Sequence, residues 1–199
     1  MRKYFALTLL MASFLFFTCG KNDKQTTDTS KKDSKETKVP VSAADFFKAV
    51  KANEPAKVKE FLEKDKDLVK AVDSSSGINE TALGISTFGG YKEITEMLAK
   101  NGADVNFQDA YGIAPMHGAA RTNHPEVIQI LIDNKANVNL PTTGGKETPL
   151  HYAAKYNNPD VVKLLLEKGA DKTAKDAGGM TPYETAKKEN ADKVLDLLK

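Results

Sequence analysis

The sequence predicts an all-α solenoid of about five helix-turn-helix copies joined by β-turn loops, with the first and last copies acting as caps. Three observations predict it. The stretch from Thr148 to Asp171 reads as one complete unit of turn, short helix, turn, longer helix and closing glycine. The unit recurs, since Pro115 lies 34 residues before Pro149 and Pro182 lies 33 after it, with Ala82 and Phe46 holding the same place in more distant copies. Two apolar columns run through all five copies: Val58, Ile94, Val127, Val161 and Val194, then Leu62, Leu98, Leu131, Leu165 and Leu198. A fixed period of this size builds a stack in which each unit buries its apolar face against the next.

Each residue of the unit has a physical reason to be there. Pro149 suits the first turn of a helix, where its missing N–H costs nothing and its fixed φ is already helical. Leu150, Ala153 and Ala154 fall at i, i+3 and i+4 and form one stripe whose small alanines let the neighbouring helix approach closely. Asn157 and Asn158 make the turn, Pro159 opens the second helix, and Val161, Leu164 and Leu165 keep helical spacing until Gly169. Glycine there accepts the left-handed conformation that closes many helices.

With this order and period the unit resembles an ankyrin repeat, and the resemblance covers almost everything after residue 41. It implies that the chain is a binding module whose variable turn tips and exposed first-helix faces form a continuous concave surface.

The chain opens with Met1, Arg2 and Lys3, followed by an apolar run of 14 residues from Tyr4 to Phe17. A basic end and a short apolar stretch predict a secretory signal over residues 1–18, too short to span a bilayer comfortably. Cys19, the only cysteine, ends that run and resembles the lipidated first residue of a bacterial lipoprotein. Phe16 and Thr18 depart from that signal's pattern, in which leucine and a small residue are usual. An ordinary cleaved signal or a short uncleaved anchor is the competing reading. Without Arg2 and Lys3, the 29 basic residues fall to 27 and balance the 27 acidic ones. Arg121 is then the only arginine, which argues against nucleic-acid recognition, where clustered basic charge is the footprint.

From residue 19 to 40 the composition turns to Lys, Thr, Ser and Asp, which cannot bury enough apolar area to offset ordering entropy. The segment is expected to be a disordered tether, and residues 41–199 the repeat domain. Its first copy, with Phe46, Phe47 and Val50, then Val58, Phe61 and Leu62, lacks the Thr-Pro-Leu-His signature, as a cap would. Between Asp65 and Asn79 the spacing lengthens by three residues, and Ser74, Ser75, Ser76 and Gly77 predict an enlarged loop. In the third copy, Lys135 stands where Gly102 and Gly169 stand in its neighbours. A lysine forced into the left-handed region costs on the order of 1 kcal/mol. In the last copy Asp192, Lys193, Asp196 and Lys199 supply a polar outer face.

Several features imitate chemistry. His117 and His151 occupy the same place in adjacent copies, so they should lie roughly 10 Å apart, the spacing of packed helices, too far to share a zinc ion. The resemblance instead implies hydrogen bonds within and between repeats, and His124 reads as a turn residue. Gly144, Gly145 and Lys146 imitate a phosphate loop, but Leu140 stands where that loop needs glycine and Glu147 where it needs Ser or Thr. No catalytic residue, cofactor or metal is expected, and the chain is not expected to be an enzyme.

By correspondence with the family, the concave surface comprises Asn79, Thr87 and Phe88; Tyr111, Ile113, Arg121 and Thr122; Lys146, Lys155 and Tyr156; and Met180, Lys187 and Lys188. Aromatics beside basic residues suit a protein partner. The expectation is a monomeric, exported module, lipid-anchored through Cys19 in the envelope of a diderm bacterium, at the outer membrane or on the periplasmic face. There it would bind or support an envelope protein. The alternatives are an immunity protein that occludes an envelope-directed toxin and, more distantly, an enzyme with an unrecognised site.

Overall fold

The computed structural model describes residues 41–199. The signal expected over residues 1–18, the tether over 19–40 and Cys19 lie outside the described residues. Ten α-helices follow in five pairs: α1 (Ala43–Lys51) and α2 (Pro55–Lys64), α3 (Ala82–Phe88) and α4 (Lys92–Lys100), α5 (Pro115–Arg121) and α6 (Pro125–Asp133), α7 (Pro149–Lys155) and α8 (Pro159–Glu167), α9 (Pro182–Lys188) and α10 (Asp192–Leu198). The odd-numbered helices pack side by side in one layer and the even-numbered ones in a second, each pair joined across the layers. The all-α solenoid expected from the period is the observed architecture. No helix among the described residues is long and apolar enough to cross a membrane.

The two apolar columns form the seam between layers. Val58, Ile94, Val127, Val161 and Val194 are fully buried, and none of the five leucines is more than 4% exposed. Within each pair the chain reverses through a left-handed residue at a fixed place: Asn53, Gly90, Asn123, Asn157 and Asn190, with φ between 53° and 70°. Asparagine tolerates this region because its short amide can bond locally. Between copies, backbone amides are held by asparagines of the preceding copy, Asn137 donating to Asn106 and Asp171 to Asn139, both at 2.8 Å.

Lys135 adopts φ 71° where Gly102 and Gly169 both adopt 87°, so the strain expected from the sequence is present at that helix end. The enlarged loop is more ordered than expected. A 3-10 helix (Lys66–Lys70) buries Leu68 and Val69, and a two-residue antiparallel hairpin pairs β1 (Val72–Asp73) with β2 (Glu80–Thr81). Asp65 caps the first turn by accepting from the Asp67 amide at 3.0 Å, Lys51 reaches Asp73 at 2.7 Å, and Gly77 and Asn79 supply positive φ at the hairpin tip. Strands of two residues carry no alternation to read, so only the turn residues announced them.

Candidate interaction surface

The helices α5 and α7 begin at similar turns, and their N-termini are built by side chains that also join neighbouring copies. His117 accepts from the Ala114 amide at Nδ1 (3.1 Å), which leaves the proton of the neutral ring on Nε2 to donate to the Glu147 carbonyl of the next copy at 3.1 Å. His151 repeats the arrangement, accepting from Thr148 and donating to the Met180 carbonyl at 3.0 Å. Both rings are fully buried. Burial lowers the pKa of His117 to about 4, against weaker opposing contributions from its backbone partners. These histidines are rivets between copies, each satisfied by backbone.

On the open side of the same helices, Arg121 at the end of α5 lies between two aromatic rings. Its guanidinium carbon is 5.6 Å from the Phe88 ring centre and 5.1 Å from that of Tyr156, one ring from each flanking copy. Phe88 is 49% exposed and Tyr156 40%, so the stack is an open surface feature rather than core. Tyr156 is followed by Tyr152 at 6.4 Å, and Tyr152 meets the His117 ring edge-on at 5.2 Å. Burial, reinforced by Glu147, pushes the Tyr152 hydroxyl up to about 12. None of the ion pairs among the described residues involves Arg121.

Beside this stack lies a recess of about 300 Å³ between the second and third copies. Phe88, Tyr111, Ile113 and Arg121 all line it, joined by Ile78, Glu80, Phe107, Asp109 and Tyr152. Tyr111 is 66% exposed at its edge. Asp109 fixes this turn by accepting from the Tyr111 and Ile113 amides at 2.8 and 2.9 Å.

The other expected surface residues divide. Thr87 is a correction: it is fully buried, its hydroxyl donates to the Gly84 carbonyl at 3.0 Å, and it belongs to the helix interior. Thr122, half-buried, likewise donates to the Gly118 carbonyl. Lys155 is half-buried and held 3.6 Å from Glu147. Lys146 stands exposed at a turn tip with φ 52°, and Asn79 at the hairpin with φ 60°. Lys187 and Lys188 are exposed at the end of α9, and Met180 is half-buried before it; none of these three enters the recess.

Sequence reasoning missed Ile78, Phe107 and Tyr152, because a recess walled by several copies is invisible to a template laid on one. A signal existed nonetheless. Gly84 stands where the next two copies carry His117 and His151, and Gly118 where the flanking copies carry Ile85 and Tyr152, so two side chains are missing side by side. Both glycines line the recess.

A family model described as Ankyrin repeats matches the chain in three overlapping spans, residues 46–142, 85–176 and 140–199. A putative ankyrin repeat protein of Rickettsia bellii (strain RML369-C) is 32% identical over 139 residues, 58% of either chain. Protein phosphatase 1 regulatory subunit 12A of Mus musculus is 41% identical over 54 residues, 27% of this chain and 5% of that one. Protein fem-1 homolog C of Xenopus laevis is 40% identical over 45 residues, 23% of this chain and 7% of that one. The chain thus spans small parts of the two animal proteins and little more than half of the bacterial one.

Proposed function

Since the chain belongs to the ankyrin-repeat family, whose repeats are protein–protein interaction modules, we propose that it works as a membrane-tethered module that binds or supports a protein of a bacterial envelope. The observation that carries the binding half is the Phe88–Arg121–Tyr156 stack: an arginine held between exposed aromatics, free of any ion pair among the described residues, has the composition of an interface anchor. The tethering half rests on the sequence alone, on the basic start, the apolar run and Cys19. A lipid on Cys19 and a polar tether would hold the repeats outside the bilayer with their concave side accessible. The module is read as non-catalytic, recognition being its whole task. The likeness to a phosphatase regulatory subunit agrees with a role in supporting another protein.

One experiment addresses both halves. The chain is expressed in a diderm bacterium with a photo-crosslinking residue at Tyr111 or, as control, at Lys163 on the outer face of α8. The expected result is labelled fatty acid on the wild type but not on Cys19→Ala, fractionation with membranes only for the former, and a discrete crosslinked protein from position 111 alone. Unlabelled wild-type protein that still fractionates as Cys19→Ala does would refute the anchor. Equal crosslinking from both positions would refute the concave surface.

A further inference from the structure

The recess between the second and third copies is both hollow and asymmetrically charged. It is hollow because Gly84 in α3 and Gly118 in α5 contribute no side chain. A Cβ at Gly84 would meet only the Thr81 hydroxyl, at 3.5 Å, and one at Gly118 would meet Phe88 at 3.6 Å or more, both ordinary contact distances. Neither glycine has positive φ. Glycine weakens a helix relative to alanine, so neither the backbone nor crowding requires these two residues. Their effect is the cavity, which has room for one or two apolar side chains between Ile78, Phe88, Phe107 and Ile113.

The charges give that cavity a direction. Glu80 precedes α3 and Arg121 closes α5, so with both copies running the same way the two charges sit at different ends of the recess. Asp109 is occupied with its own turn amides. At the Arg121 end the guanidinium carbon lies over the Phe88 and Tyr156 rings, and the exposed guanidinium carries paired donors in the fork geometry that fits a carboxylate. Lysine could not reproduce that arrangement.

Resting on the concave-surface reading, we infer that the recess takes a peptide segment of the partner in which an apolar side chain lies next to a carboxylate. The apolar group fills the space above Gly84 and Gly118, and the carboxylate bonds the edge of Arg121, away from Glu80. An aromatic or branched aliphatic residue beside Asp or Glu is the sequence such a site selects.

The test pans a random heptapeptide library against the full-length chain and measures the best synthetic peptide by fluorescence anisotropy. The expected peptides carry Asp or Glu adjacent to, or one residue from, Phe, Tyr, Leu or Ile. Their affinity should fall at least about tenfold on Arg121→Met and measurably on Gly84→Ala with Gly118→Ala, a double variant that should melt no lower than wild type. Peptides that depend on Phe88 and Tyr111 but not on Arg121, and show no acidic preference, would overturn the inference and leave the concave-surface reading standing. Selected peptides indifferent to Phe88, Tyr111, Arg121 and Tyr156 alike, or no enrichment over an empty support, would overturn both.

Discussion

Lys135 carries the plainest single-residue cost in the fold. At φ 71° it holds a conformation that its neighbours assign to glycine, and left-handed backbone is unfavourable for a residue with a Cβ. Lys135→Gly should stabilise the domain by up to about 1 kcal/mol, the relief of strain exceeding the entropy that glycine adds to the unfolded chain; urea midpoints of the two proteins measure it. His117 makes a second prediction, in pH. Its folded pKa of about 4 lies below the unfolded value near 6.5. Between those values the unfolded chain binds a proton that the folded chain refuses. Stability is therefore full above about pH 6.5 and is lost as pH falls toward 4, by on the order of 3 kcal/mol from this residue. Urea titrations at several pH values should show a shallower slope across that window for His117→Gln than for wild type, and equal slopes would contradict the buried neutral ring.

At the level of the helices, the stack depends on its columns. Leu165 is fully buried in α8, which packs on α6, α7 and α10, so Leu165→Ala should cost roughly 2–5 kcal/mol. Lys163→Glu on the exposed face of the same helix should change stability by no more than about 0.5 kcal/mol. Because a solenoid couples neighbours, the Leu165 loss should lower the whole melting transition rather than detach the last pair. This level was also the most legible in the sequence. Helical spacing, proline at the first turn and asparagine or glycine at the reversal act locally, so they announce themselves in a short window. In the sequence the hairpin at Val72–Thr81 and the 3-10 helix before it look only like a loop, since their order comes from Leu68 and Val69 being buried and from Lys51 meeting Asp73 across 22 residues.

At the level of the molecule, function depends on what two copies make together, and there legibility declines. The template assigned Phe88, Tyr111, Arg121 and Tyr156 to one surface, and the fold brings all four to one stack and its adjoining recess. It also assigned Thr87, one position too far round α3, and helical geometry turned that residue inward. The walls contributed by Ile78, Phe107 and Tyr152 depend on the spacing between copies, which no single copy encodes. On the proposed reading this stack recognises a partner and does not hold the fold together. Tyr111, Arg121 and Tyr156 are exposed and lie outside the buried columns, so replacing all three by Ala should separate the two roles. The decisive measurement is the affinity of that triple variant for the crosslinked partner, taken with its melting temperature. The expected result is a melting temperature within a few degrees of wild type and an affinity at least tenfold weaker, about 1.4 kcal/mol. Unchanged affinity would contradict it and move recognition elsewhere, with the hairpin around Ser75 the next surface to test.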